Sequence, residues 1–507
     1  MSAQAPAAPP AVAPAAESAA KTVGRGVMFI GFAKVFFMLT GSVQKFLLTH
    51  VMNAASFGDF AVVNNLISIF NNTVVQGTIQ GVSKLTAEDD ARAGAVQRAG
   101  VRLGAGLGLA IALVLVVAAP FLADVYKTPR LTLYIRIAAL IPLLYAIYSV
   151  FVGSANGLRR FRTQASFDVT FSTAKTVLLL GGAYLWSVTG AFVGFVGAAV
   201  FILIFAARMM RLPAGGEPFP MRRIVGFMGA VVVYTALLNY TLNSDNLLLR
   251  RFALSAPGVD ATAAAAVAGN YEALRNFALL PYQTLLVVTF VIFPLVSRAT
   301  FAADREATRA YVSQTMRYAL ILAGLMGIVL AARPSALFGT IYKPEYRAGA
   351  DALPILAAGQ CCLALLSVAC SILNAAGRTG ASLTLMAITA AILSAGIAIF
   401  VPRAAPGAPM LVAAASATAV ATATGLVAAL AVLRARLGGM PPPATIGRVA
   451  LALACAVVAA RVVPGHGKIV GFAVMALAAA TYCIVLVATR EFGAADRAKF
   501  AKFLGRR

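Results

Sequence analysis

The sequence predicts an all-α polytopic membrane protein of about fourteen transmembrane helices: two six-helix lobes related by an internal repeat, then two C-terminal helices. Three observations predict it: recurrent apolar runs, basic residues gathered into alternate loops, and motifs that return 211 to 218 residues later. Of 507 residues, 61% are hydrophobic and only 12% charged, and the mean hydropathy is +0.87. A run of about 20 apolar residues crosses the ~30 Å hydrocarbon core as a helix. This composition excludes a soluble enzyme and a secreted disulfide scaffold.

Residues 1–20 are almost wholly Ala, Pro, Ser and Gln, without an apolar run, which reads as a disordered tail rather than a signal peptide. The N-terminal lobe is expected over 21–212, with spans near 27–49, 57–82, 103–123, 132–156, 166–186 and 189–207. The C-terminal lobe is expected over 213–437, with spans near 224–249, 266–296, 316–333, 350–375, 381–401 and 409–433. Residues 438–490 hold two further spans, near 449–463 and 469–489, turned by Pro464 and Gly465, and 491–507 form a basic tail.

Lys and Arg in short loops accumulate on the cytoplasmic side of a membrane. With the N-terminus inside, cytoplasmic segments hold 27 of the 42 Lys and Arg, outer loops 11 and the spans 4. Both termini are therefore expected in the cytoplasm. The net charge of +25 is mostly this topology signal, so no nucleic-acid partner is expected.

The repeat is read from four ordered matches. Gly58-Asp59-Phe60 returns as Gly269-Asn270-Tyr271, and Ser83-Lys84 as Ser297-Arg298. Tyr126-Lys127-Thr128-Pro129 returns as Tyr342-Lys343-Pro344, and Asn156-Gly157-Leu158-Arg159 as Asn374-Ala375-Ala376-Gly377-Arg378. Two bundles in the same orientation follow, with a substrate path between them.

The five cysteines all lie in apolar runs without a Cys-x-x-Cys pair, and the only histidines are His50 and His466. Packing thiols are expected, and no metal centre. There is no Gly-x-x-x-x-Gly-Lys-Ser/Thr loop. No cofactor is expected, and any work draws on an ion gradient, a substrate gradient or a partner. Gly104, Gly106 and Gly108 sit inside an apolar span, where close helix packing is the expectation.

An ionisable side chain inside a span costs about 2.5 to 3.5 kcal/mol on insertion scales, so each is a functional candidate. Lys34 and Lys45 return to nearly the same face of the first span about 16 Å apart. That ladder suits a diphosphate or acidic sugars, although Lys45 could instead snorkel to the outer interface. Asp168 and Lys175 share a face of the fifth span, either lining a cavity or joining interhelical ion pairs. Glu272 and Arg275 in the eighth span are spaced for a pair within one helix or for substrate contact, and Pro281 predicts a kink. Asn65, Ser68, Asn72, Gln76 and Gln80 occupy one face of the second span of about 120°. Such a stripe needs water, a glycan or another helix as partner. Thr235, Asn239, Asn243 and Asn246 repeat the pattern in the seventh span. Asp245 is a candidate for a coupling proton or cation, or else the partner of Arg250, Arg251 or a base on a neighbouring helix.

Four short motifs in this order resemble a known family: the basic start Lys21 to Arg25, Phe57-Gly58-Asp59-Phe60, Gly81-Val82-Ser83-Lys84-Leu85, and Asn243-Ser244-Asp245-Asn246-Leu247-Leu248-Leu249. The chain resembles, over most of residues 21–490, the polysaccharide transporter branch of the multidrug/oligosaccharidyl-lipid/polysaccharide exporter superfamily. The resemblance implies two lobes around a central cavity and a flippase of the bacterial inner membrane. Its substrate would be an undecaprenyl-pyrophosphate-linked oligosaccharide for cell-surface polysaccharide, such as O-antigen or exopolysaccharide. Partners would be the bilayer, the lipid-linked oligosaccharide, and a polymerase and glycosyltransferases of the same pathway. The substrate-binding candidates are Lys34, Lys45, Asn65, Asn72, Gln76, Lys175, Asn239 and Arg275, and the ion-coupling candidate is Asp245. A cation-coupled multidrug antiporter and a lipid II flippase are the alternatives. A glycan polymerase or ligase fits less well, because the outer loops are short.

Overall fold

A computed structural model describes residues 14–213, 217–286, 296, 300, 304–464, 467–493 and 496. Among these, every regular element is helical. The first half of the chain contributes α1 (Pro14–Val51), α2 (Ala54–Glu88), α3 (Ala93–Val125), α4 (Leu131–Ala138), α5 (Leu140–Gly157) and α6 (Phe161–Met209). The second half contributes α7 (Met221–Ala253), α8 (Ala261–Ala278), α9 (Arg305–Ala332), α10 (Pro334–Ile341), α11 (Leu353–Ala375), α12 (Thr379–Phe400) and α13 (Ala408–Leu437). Two last helices follow, α14 (Pro443–Val462) and α15 (Lys468–Ala488).

The described part of α1 begins at Pro14, so residues 14–20, expected as disordered tail, are helical. The Ala and Glu of this stretch, and Lys21 after it, are strong helix formers. The remainder of that tail, the later part of the eighth span, Ser297-Arg298, Gly465 and most of the basic C-terminal tail lie outside the described residues.

The expected fifth and sixth spans are the two limbs of α6, which reverses at Trp186 (φ −135°, ψ 28°) and Ser187 (φ 51°, ψ −130°). The limbs lie backbone to backbone. A Cβ built on Gly182 would stand 2.0 Å from the Gly190 carbonyl oxygen, and one on Gly194 2.0 Å from that of Leu178. The glycines of α3 act similarly against α5: a Cβ on Gly104 would lie 2.7 Å from the Ala146 oxygen, and one on Gly108 2.8 Å from the Leu143 Cα, whereas Gly106 faces open space.

Nine helices among the described residues are long and apolar enough to cross a membrane, with mean hydropathies of 1.8 to 2.5 over their apolar stretches. Helices α1, α2, α7 and α8 fall outside that set. They carry most of the polar and charged side chains singled out above, Asp168 and Lys175 of α6 apart, and they meet one another at the junction of the halves: α2 packs along α7 and α8, and α1 touches α8. Polar side chains are tolerated in a bilayer where helix faces helix or water rather than lipid.

Helices α14 and α15 pack on each other and on α9. Glu491 anchors them, joining Arg317 of α9 at 2.6 Å and Arg448 of α14 at 2.9 Å. The cysteines are free; Cys370 is buried, but Cys483 is exposed, which corrects the expectation that all five fill helix contacts. A small apolar side chain is equally at home on a face turned away from the bundle.

Candidate functional site

The charges of the junction converge on Glu272 in α8, which is 2% exposed. Its carboxylate accepts from Lys45 Nζ of α1 at 3.1 Å, Asn65 Nδ2 of α2 at 3.0 Å, Asn246 Nδ2 of α7 at 3.1 Å and the Arg275 guanidinium at 2.5 Å. Arg275 also meets Asp245 of α7 at 3.3 Å and donates to the Leu242 carbonyl. Asp245 in turn accepts from the Asn246 amide at 2.8 Å and the Tyr271 hydroxyl at 3.2 Å. Two carboxylates and two cations thus neutralise one another across three helices, with Asn65 of a fourth hydrogen-bonded to them. Burial of charge is tolerated only with such pairing and hydrogen bonding.

Each residue singled out from the sequence can now be placed. Lys34 of α1 forms an ion pair with Asp168 of α6 at 2.8 Å, so Asp168 serves Lys34 rather than Lys175. Thr40 and Ser172 are hydrogen-bonded between the same two helices. Lys45 turns inward to Glu272 and does not snorkel. Asn72 donates to Asn239 Oδ1 at 3.1 Å, joining two candidates across the halves. Gln76 and Gln80 follow Asn72 on one exposed face of α2. Arg275 pairs within its helix, as its spacing allows, and the base that meets Asp245 is Arg275 rather than Arg250 or Arg251.

Lys175 is the exception among these bases. Its ammonium lies 4.2 Å from the centroid of the Phe195 ring, a cation–π contact within α6. No carboxylate among the described residues stands within ion-pair distance of it. A cluster of His, Cys, Asp or Glu able to hold a metal is also absent among the described residues.

A second cluster was not read from the sequence. Where α1 gives way to α2 and α7 to α8, Asp59 binds the buried Arg250 at 2.6 Å and Arg130 at 2.7 Å. Arg250 also donates to Thr128 Oγ1 at 3.1 Å and lies over the Tyr126 ring, 5.4 Å from its centroid. Burial pushes the Tyr126 phenol up to about 12 against the pull of Arg250 and Arg251, so it remains a donor. Beside them Phe46 of α1 packs on Phe277 and Tyr342, with ring centroids 5.1 and 5.8 Å away. The junction is closed at this end. The signal in the sequence was the recurrence of the Tyr-Lys motif, which marks the loops that supply Tyr126 and Thr128.

Comparison with known proteins places these features. The uncharacterized membrane protein MJ1068 of Methanocaldococcus jannaschii is 25% identical over 311 residues, 55% of this chain. The match spans 57% of that relative's length. The fold is similar to that of the lipid II flippase MurJ in an inward closed conformation, with a TM-score of 0.73 and 11% identity over 92% of this chain and 99% of that one. It is also similar to an inward-facing multidrug resistance MATE family transporter of the MOP superfamily, with a TM-score of 0.64 and 16% identity over 79% and 94% of the two chains. Such identities speak for fold alone. A model of the polysaccharide biosynthesis protein family matches residues 23–300, more than half of the sequence and all of α2 to α8. By that match this multi-pass membrane protein belongs to the polysaccharide biosynthesis protein family.

Proposed function

We propose that the protein is a flippase that moves an anionic lipid-linked oligosaccharide, an undecaprenyl-pyrophosphate-linked repeat unit, from the inner to the outer leaflet by alternating access of two lobes. One observation carries the reading: Lys175 is a cation in a membrane-spanning limb that lies over an aromatic face, with no carboxylate within ion-pair distance among the described residues. A base without a counter-charge in a low-dielectric setting favours an anion. The exposed amides Asn72, Gln76 and Gln80 of α2 supply donors and acceptors for sugar hydroxyls. Lys34 and Lys45 hold internal counter-ions in this conformation and reach substrate only when those pairs open. Asp245, whose charge Arg275 already balances, binds a coupling ion only when Arg275 moves. The same balance disfavours a cationic drug as cargo.

In this reading the protein sits in a bacterial inner membrane, and the Lys and Arg count supports cytoplasmic termini. Glycosyltransferases and a polymerase of a cell-surface polysaccharide pathway then supply and consume the cargo. The similarity in fold to MurJ over 92% of the chain supports lipid II as a second cargo, since it shares the polyprenyl diphosphate. The test is glycan export in cells carrying Lys175→Gln or Lys175→Arg at equal protein abundance. Export should fall with Gln and largely survive with Arg. Normal export with Gln would remove the anion-binding reading, and rescue of a strain lacking its lipid II flippase would select the second cargo.

A further inference from the structure

The repeated Tyr-Lys motif begins two equivalent loops, and each loop reaches across to the other half of the chain. In the first half Tyr126 donates to the Leu247 carbonyl at 3.4 Å, and Thr128 accepts from Arg250 at 3.1 Å; both partners lie near the end of α7. In the second half Lys343 Nζ donates to the His50 carbonyl at 2.7 Å and the Tyr346 hydroxyl to the Met52 carbonyl at 2.8 Å, both at the end of α1. The last carbonyls of α1 lack partners within the helix and readily accept from outside. The exchange is reciprocal: the loop of each half holds the end of the first helix of the other.

We infer that these two loops, with Asp59 and Arg250 between them, are a reciprocal latch that holds the outer mouth shut and sets how often it opens. Opening that mouth separates the end of α1 from the Lys343–Tyr346 loop and the end of α7 from the Tyr126–Arg130 loop together. Asp59 is the clasp, because it is buried in α2 and bonds both to Arg250 of the opposite half and to Arg130 of its own. Losing its charge leaves Arg250 buried without a counter-ion, which favours any state in which Arg250 reaches water. Of the loop groups Lys343 is exposed, whereas Tyr126, Thr128 and Tyr346 are buried; Tyr346→Phe removes only a hydroxyl and keeps the ring in place, so the loss of these bonds shifts the balance without unfolding the helices.

The latch rests on the alternating-access reading, but its test needs no substrate. Spin labels are placed at Asp124→Cys and Thr262→Cys, exposed positions on opposite halves, in full-length protein with the five native cysteines replaced. Their separation is measured by pulsed electron resonance in lipid nanodiscs. The Lys343→Gln/Tyr346→Phe double variant and Asp59→Asn should each raise the long-distance population at least about twofold, whereas Lys343→Arg should not. Unchanged distances in the double variant, with the protein folded, would overturn the latch. A shift in distance without any effect on glycan export would keep the latch and count against the flippase reading.

Discussion

Gly58 and Gly269 lie against one another's helices at the junction of the two halves. A Cβ on Gly58 would stand 1.8 Å from the Ala265 carbonyl oxygen, and one on Gly269 2.0 Å from that of Ala54. Ala54 and Ala265 are as far apart in sequence as the two glycines, so α2 and α8 cross as equivalent elements about a local two-fold axis. Gly58→Ala and Gly269→Ala should each destabilise the protein by about 1 to 3 kcal/mol, because neither backbone can retreat without parting the helices. Thermal unfolding in detergent checks this. The two losses should be similar, and a neutral effect at either site would contradict the crossing.

Glu272 is the sole carboxylate recorded on Lys45 and one of two on Arg275 among the described residues. Glu272→Gln should therefore cost about 3 to 5 kcal/mol, as for one partner removed from a buried pair. Adding Lys45→Met should recover part of that loss, since the stranded ammonium is gone. A double-mutant cycle on unfolding midpoints measures the coupling, and additivity within about 0.5 kcal/mol would mean that the pair does not form.

Glu491, beyond the end of α15, predicts an acid limit for the docking of the C-terminal pair. Its burial favours the neutral acid, but hydrogen bonds from Arg317, Arg448 and Thr445 outweigh burial and hold the carboxyl below its ordinary range. A depressed folded-state value adds stability above the unfolded carboxyl value of about 4.3, and that stability is lost as pH falls through the folded value. Hydrogen exchange in α14 and α15 should rise below about pH 4 in the native protein. Glu491→Gln should raise exchange already at neutral pH and flatten its acid dependence; the same acid profile in both proteins would exclude Glu491 as the cause.

Orientation is testable at two exposed positions. A single cysteine at Thr262 should react with an impermeant maleimide in intact spheroplasts, and one at Ala91 only after permeabilisation. The reverse pattern would invert the topology drawn from the Lys and Arg count.

Much of the architecture was legible in the sequence, because span length and loop charge are local properties. The reversal between the fifth and sixth spans falls at Trp186 and Ser187, the last residue of the expected fifth span and the first of the short interval after it. The polar side chains of α1, α2, α7 and α8 stood out because hydrocarbon makes them costly. Their partners did not, since Lys34 meets Asp168 and Lys45 meets Glu272 over long stretches of chain. Asp59 and Arg250 drew no attention as a pair, because charges at the ends of spans are ordinary and only the folded junction buries them together. The helix over residues 14–20 was hidden by a composition that serves a loose tail and a helix equally well.

The reversal at Trp186 also bears on how the chain enters the bilayer. With two residues between the limbs of α6, there is almost no polar segment to be carried across during synthesis. Interdigitated glycine backbones join the limbs over several turns, and Tyr184 and Trp186, 80% and 65% exposed, cap the tip with amphipathic rings that favour the membrane interface. This geometry predicts that the section inserts as one hairpin rather than as two successive spans, so that truncation after the first limb should leave that limb poorly integrated.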